Sequence, residues 1–203
     1  TRESDSPVIF PFFDGVALNP SDAYSVAYDS RLRSGEFNVR HRLNERATLL
    51  AGFRVLELRE NFDITDEGGG FFSNTDNDLY GFQIGGDLIF WTIRRCHLFG
   101  TIKSGIYYNS ADVMAEAANS RGRPLSFVGG EDVAAFAGDV AAGLLIPMGP
   151  RADMRIGYQG IYLDGIGLAP DQSDNYSIFT GWGQLDQSTL FFHGGFLGVD
   201  LFF

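Results

Sequence analysis

The sequence predicts an all-β fold: an antiparallel, up-and-down transmembrane β-barrel of eight strands, a single domain over residues 1–203. Three observations predict it. Apolar residues alternate with glycine and charged residues in segment after segment, the period of two that marks strands. The connections between those segments alternate short and long, as the two ends of a membrane barrel require. No stretch approaches the roughly 20 consecutive apolar residues of a spanning helix. Mean hydropathy is close to zero, as expected where half of each strand lines a polar lumen.

The elements follow in order. Residues 6–18, SPVIFPFFDGVAL, supply the candidate first strand. Pro11 counts against a central place for it, because proline gives no ladder donor, and a strand within 22–31 is the alternative. In residues 35–43, Phe37, Val39 and Leu43 oppose Glu36, Asn38, Arg40 and Arg42. Residues 46–60 set Leu49, Ala51, Phe53 and Val55 against Gly52 and Arg54, after which a bulge is expected to slip the phase. Residues 77–90 put Tyr80, Phe82, Ile84, Leu88 and Phe90 opposite Gly81, Gln83, Gly85 and Asp87. Residues 95–109 oppose Cys96, Leu98, Ile102, Ile106 and Tyr108 to Arg95, His97, Thr101, Lys103 and Gly105. Residues 133–146 set Phe136, Val140, Leu144 and Ile146 against Asp139 and small residues. Residues 152–163 pair Met154, Ile156, Tyr158 and Tyr162 with Asp153, Arg155, Gly157 and Gln159. Residues 191–203 close with Leu197, Val199, Leu201 and Phe203 on one face and Phe196, Gly198 and Asp200 on the other.

Short connections fall at 43–46, 91–95 and 147–152, and long ones at about 60–77, 109–126 and 165–187. The Asp-rich tract 64–78 reads as irregular, and 115–123 holds at most a helical turn. With eight strands, both termini and all three short turns share one end.

The two faces differ as a small membrane barrel requires, with Phe, Tyr, Leu, Ile and Val on one and glycine with charged residues on the other. On this reading Phe37, Phe53, Phe82, Ile84, Ile102, Ile156, Val199 and Leu201 face lipid. The lumen takes the acids Glu36, Asp87, Asp139, Asp153 and Asp200 and the bases Arg40, Arg42, Arg54, Arg95, Lys103 and Arg155, with His97 beside them. This near-balance suits a self-neutralising plug, since buried charge is tolerated when paired. An open channel takes about 16 strands or more. Two alternatives stay open: a small porin-like channel, and a soluble or secreted barrel with its faces swapped to bind an apolar ligand.

The net charge of −11 argues against a nucleic-acid partner. Acids gather in the long connections, and Asp76 with Asp78 is a weak candidate for a hard cation or a cation bridge to lipopolysaccharide. Their spacing matches no twelve-residue calcium loop, so solvated charge is the favoured account and no cofactor is expected. Cys96 rules out an internal disulfide. His41, His97 and His193 fall on different strands, and Ser188 lies five residues from His193, hence on the opposite face. A serine nucleophile and its base must be within hydrogen-bond reach, so a lipid hydrolase or acyltransferase finds little support. EGGGFF at 67–72 lacks the lysine of a phosphate loop.

The segments SRLRSGEFNVRHRL, LLAGFRVLELRENF, NDLYGFQIGGDLIF, LFGTIKSGIYYNSA, MRIGYQGIYLDGIGLAP and FFHGGFLGVDLFF resemble, in order and spacing, the outer-membrane β-barrel proteins of planctomycete bacteria. The resemblance covers most of residues 30–203 and leaves 1–30 unplaced. It implies an outer-membrane location, lipid or lipopolysaccharide as surroundings, and no assigned catalytic residue. The expected role is non-enzymatic, structural or surface-interacting, with oligomerisation or an extracellular protein partner left open.

The alternation Leu197, Val199, Leu201, Phe203 also resembles the terminal signal read by the barrel-assembly machinery of outer membranes. Such a strand is recognised by edge pairing, with main-chain bonds giving affinity and alternate side chains specificity. Deleting Phe203 should therefore lower membrane-inserted yield in cells more than it lowers the unfolding midpoint of the refolded protein. Normal insertion of the deletion variant would refute the signal role.

Overall fold

The computed structural model describes residues 25–65, 69–118, 124–149, 151–171, 176–177, 182–183 and 186–201. Six long strands follow one another: β1 (Ser25–Arg42), β2 (Ala47–Thr65), β3 (Gly70–Ile93), β4 (Cys96–Ala118), β5 (Pro124–Gly149) and β6 (Ala152–Gly167). A two-residue pair, β7 (Tyr176–Ser177) with β8 (Trp182–Gly183), precedes the last long strand, β9 (Gln187–Leu201). All seven long strands form one antiparallel sheet in the order β1-β2-β3-β4-β5-β6-β9, up and down throughout. The outer edges of β1 and β9 are unpaired among the described residues, so the sheet is not closed there. The candidate first strand at 6–18 lies outside the described residues, and 25–31, part of the alternative, is instead the first half of β1.

The strands are longer than the alternation alone suggests. Tracts read as long connections are paired backbone: β2 and β3 stay in register from Ala47–Leu88 to Thr65–Gly70, and β4 and β5 to Ala118–Pro124. Most of the tract 64–78 is thus strand, as are residues 115–118. Nor does β2 slip phase. Its pairing is continuous on both sides, and register shifts occur instead at Ile89/Trp91, Pro147/Gly149 and Asp164/Ile166.

At the short-turn end, the Asn44 side-chain oxygen accepts the amides of Arg46 and Ala47 at 2.8 and 2.9 Å, a side-chain-built turn. Arg94 takes a φ of 55°, the left-handed geometry that a two-residue hairpin loop favours.

The sheet is strongly curled. Three strands of a flat sheet span roughly 14 Å, yet side chains three strands apart touch: Arg54 of β2 meets Asp139 of β5, and Phe99 of β4 stacks edge-on to Phe196 of β9, centroids 6.4 Å apart. Glycine on the concave face permits the curl. A Cβ on Gly143 would lie 2.2 Å from the Ile156 carbonyl oxygen and 2.7 Å from Gly157 Cα, so these two backbones approach as only glycine allows. No helix of the described residues is long and apolar enough to cross a membrane.

Candidate functional site

The curled sheet has two halves of opposite polarity, and the boundary follows the strand register. Toward the short turns, outward side chains are apolar: Phe37, Phe82, Ile84 and Ile102 are each more than 60% exposed, and Phe53, Ile156 and Val199 are exposed as well. Leu201 is the last residue of β9. Val55, Tyr80, Tyr108 and Ala134 pair directly across β2 to β5 and form the last outward row there that is apolar on all four strands. One step on, the row Arg33–Glu57–Asp78–Ser110–Asp132 is polar. On β6 and β9 the change falls between Tyr162–Phe191 and Asp164–Thr189. From Tyr80 to Phe90 the belt spans about ten residues, or roughly 25 Å at about 3.4 Å per residue and a typical barrel tilt.

The concave face changes at the same level and in the opposite sense. Behind the apolar belt it carries an ion-pair ladder. The Arg54 guanidinium, 3% exposed, bonds both oxygens of Asp139 and donates Nε to Ser34 Oγ at 2.9 Å. Lys103 Nζ sits 2.8 Å from Glu36 Oε2, and Gln83 Nε2 bridges Glu36 and Asn38 at 2.7 and 2.8 Å. Arg40 pairs with Asp87, which also accepts Thr101 Oγ1 at 2.6 Å. Arg155 joins Asp200 to Asp87, the latter at 3.8 Å, and lies 4.9 Å above the Phe99 ring. The ladder thus ties β1 to β4, β2 to β5 and β3 to β6, which holds the curl.

Eight of the expected lumen residues stand in this ladder: Glu36, Arg40, Arg54, Asp87, Lys103, Asp139, Arg155 and Asp200. The other four do not. Arg42 is exposed at the β1–β2 turn, its Nε donating to the Asn44 carbonyl, and Arg95 is exposed in the β3–β4 turn. His97 bonds Thr92 next to that turn, and Asp153 faces Asp200 in register with no ion pair among the described residues. Their alternation is right, but none of the four forms an ion pair among the described residues. Sequence reasoning missed Tyr107, whose hydroxyl reaches Gln83 at 3.5 Å, because its neighbours Ile106 and Tyr108 dominate the pattern.

Beyond the boundary the concave face holds an apolar core with buried polar side chains beside it. Leu56, Leu58, Leu79, Leu163 and Ile166 are fully buried, with Leu32, Leu190 and Phe192 packed against them. The chain after β6 folds over this core. A bulge at Asp164/Ile166, with Gly165 at φ 75°, starts the fold-over. Asn77 then reads Gly167 at both its amide and its carbonyl, each at 2.8 Å, and Asn109 Nδ2 donates to the Gly165 carbonyl at 3.0 Å. The buried Glu60 carboxylate accepts the Ala169 amide at 3.1 Å, Tyr28 OH at 2.6 Å and Ser30 Oγ at 2.9 Å. Burial, and next the bond to Glu60, push the Tyr28 phenol up to about 12. At the short-turn end a cavity of about 580 Å³ opens between the sheet walls, lined by Arg40, Arg42, Arg46, Arg155 and Phe99 among others.

Asp76 and Asp78, the weak cation candidates, both reach the Arg59 guanidinium, whose hydrogen bonds to Asp76 and Glu57 raise the Arg59 pKa further above its ordinary value. Among the described residues no group of three or more acids, histidines or cysteines converges on a metal position. Ser188 and His193 point to opposite faces: Ser188 Oγ bonds Asp171 on the concave side, and His193 bonds Tyr158 outside. Compared with known protein families, curated proteins and solved structures, the chain shows no match.

Two outcomes test this arrangement. Arg54→Ala should cost about 3–5 kcal/mol, because it leaves Asp139 buried without its cation. The paired Arg54→Leu/Asp139→Leu should recover most of that loss in equilibrium unfolding of the refolded protein. Separately, Tyr28 titrates higher folded than unfolded, so its contribution is complete below about pH 10 and lost as pH rises toward about 12. Tyr28→Phe should flatten that alkaline loss of stability.

Proposed function

We propose that this chain is a non-enzymatic outer-membrane β-barrel, with a plugged interior and a polar half that projects from the membrane for a structural or surface-interaction role. The observation that carries this reading is the simultaneous reversal of both faces. A soluble barrel keeps apolar residues inside along its whole length. Here the outward face is apolar for a height close to a membrane barrel's roughly 25 Å band, with charge behind it. Aromatic residues mark both margins, Tyr80 and Tyr108 at one and Phe90 and Trp91 at the other.

Closure is part of the proposal. Seven up-and-down strands leave β1 and β9 running in the same direction, so antiparallel closure takes one more strand between them. We assign that place to chain preceding Ser25, where 6–18 is the candidate, giving eight strands and no free edge. The ion-pair ladder and the leucine core then favour a plug over a channel, and an isolated chain in a planar bilayer should conduct little.

Paired arginine scanning tests the membrane placement. Ile84→Arg, in mid-belt, should cost about 2–4 kcal/mol in lipid. Asn61→Arg, outward beyond the boundary, should change stability by less than about 0.5 kcal/mol. Equal, small effects at both positions would place the whole outer surface in water.

A further inference from the structure

The described cations divide into two groups. Arg31, Arg33, Arg40, Arg54, Arg59, Lys103 and Arg155 each reach a carboxylate. Among the described residues, Arg42, Arg46, Arg94, Arg95 and Arg151 reach none, and all five lie at the three short turns and are exposed. Chance would not sort them this way in a chain of net charge −11. The acids Glu45 and Asp153 leave this rim net positive, whereas acids outnumber Arg31, Arg33 and Arg59 in the opposite half.

The rim also keeps large apolar side chains beside those arginines. Trp91 and Ile93 are 66% and 64% exposed next to Arg94 and Arg95, and Leu43 and Met148 are exposed next to the other two turns. Guanidinium and tryptophan side by side suit a bilayer interface, where the ring sits at head-group level and the cation reaches phosphate. Behind the apolar belt, the ladder's charges are paired within the chain. At the rim, the matching charge must come from outside.

We propose that the short-turn rim docks against anionic glycerophospholipid head groups, with Arg42, Arg46, Arg94, Arg95 and Arg151 taking the lipid phosphates. This inference rests on the membrane reading above and adds the lipid class of one leaflet. Each arginine close to an anionic surface is worth about fivefold in binding at low salt, so a joint preference on the order of tenfold or more is expected after screening.

The experiment uses the full chain refolded in bilayers, with Trp182→Phe leaving Trp91 as the reporter. Quenching of Trp91 by brominated phosphatidylglycerol is compared with quenching by brominated phosphatidylcholine, and the ratio gives relative affinity at the rim. The expected result is a several-fold preference for phosphatidylglycerol that falls at high salt. It should vanish when Arg42, Arg46, Arg95 and Arg151 become Gln and Arg94 becomes Asn, which accepts the left-handed backbone. Five Arg→Lys changes should retain it. Equal quenching by the two lipids, or a preference that survives charge removal, would overturn the inference and leave the membrane reading standing. No quenching by either lipid would overturn the membrane reading and this inference with it.

Discussion

A strand's side chains alternate, so every stretch of this sheet must satisfy two media at once. This constraint organises the rest of the structure. Where the outward face is Phe82 and Ile84, the concave face can afford Gln83 and Gly85, because neighbouring strands supply partners for the polar groups. Where the outward face turns to Glu57, Arg59 and Asp76, the inward Leu56, Leu58 and Leu79 make a dry core. The exchange occurs within one residue step on β2 and β3, with no break in pairing.

The ion pairs fix shape as well as charge. Arg54–Asp139, Lys103–Glu36 and Arg155–Asp87 each join strands three apart, a reach that exists only while the sheet is curled. Paired and hydrogen-bonded, such groups are tolerated; separated, each leaves a desolvated charge. Curvature at Gly143 and Gly157 and pairing across the concavity therefore support each other, one lowering the steric barrier to bending and the other penalising flattening.

Much of this was legible in the sequence. Alternation identified every long strand at least in part, and eight of the ladder residues from Glu36 to Asp200. What was misread has one physical source. Beyond the boundary the outward face is mostly hydrophilic, and on β3 and β4 much of the inward face is small or polar, with Ser73, Thr75 and Asn77 on β3 and Ala111, Ala115 and Ala117 on β4. Such strands lack the apolar contrast that the period-two test needs, so they resembled loops. Leu56 and Leu58 likewise looked like a slipped phase, because alternation alone cannot separate a shift of register from a change of surroundings. The contacts of Asn77 and Asn109 with the end of β6, and of Glu60 with Ala169 just beyond it, were invisible, since each spans more than fifty residues.

The reversal of faces gives the molecule two kinds of stability. The leucine half is held as a soluble domain is, by withdrawing apolar surface from water, and it carries the large positive heat capacity of unfolding that follows. Its contribution weakens on cooling and under urea. The belt half, in the membrane reading, is held by transfer into lipid and by mutual neutralisation inside, and neither depends on water in that way. On that reading, denaturant or cold should loosen the leucine half first, around Glu60 and the chain that covers it, while the belt half keeps its pairing. The level at Val55, Tyr80 and Tyr108 is then a thermodynamic seam as well as a chemical one, dividing one continuous sheet into two cooperative units.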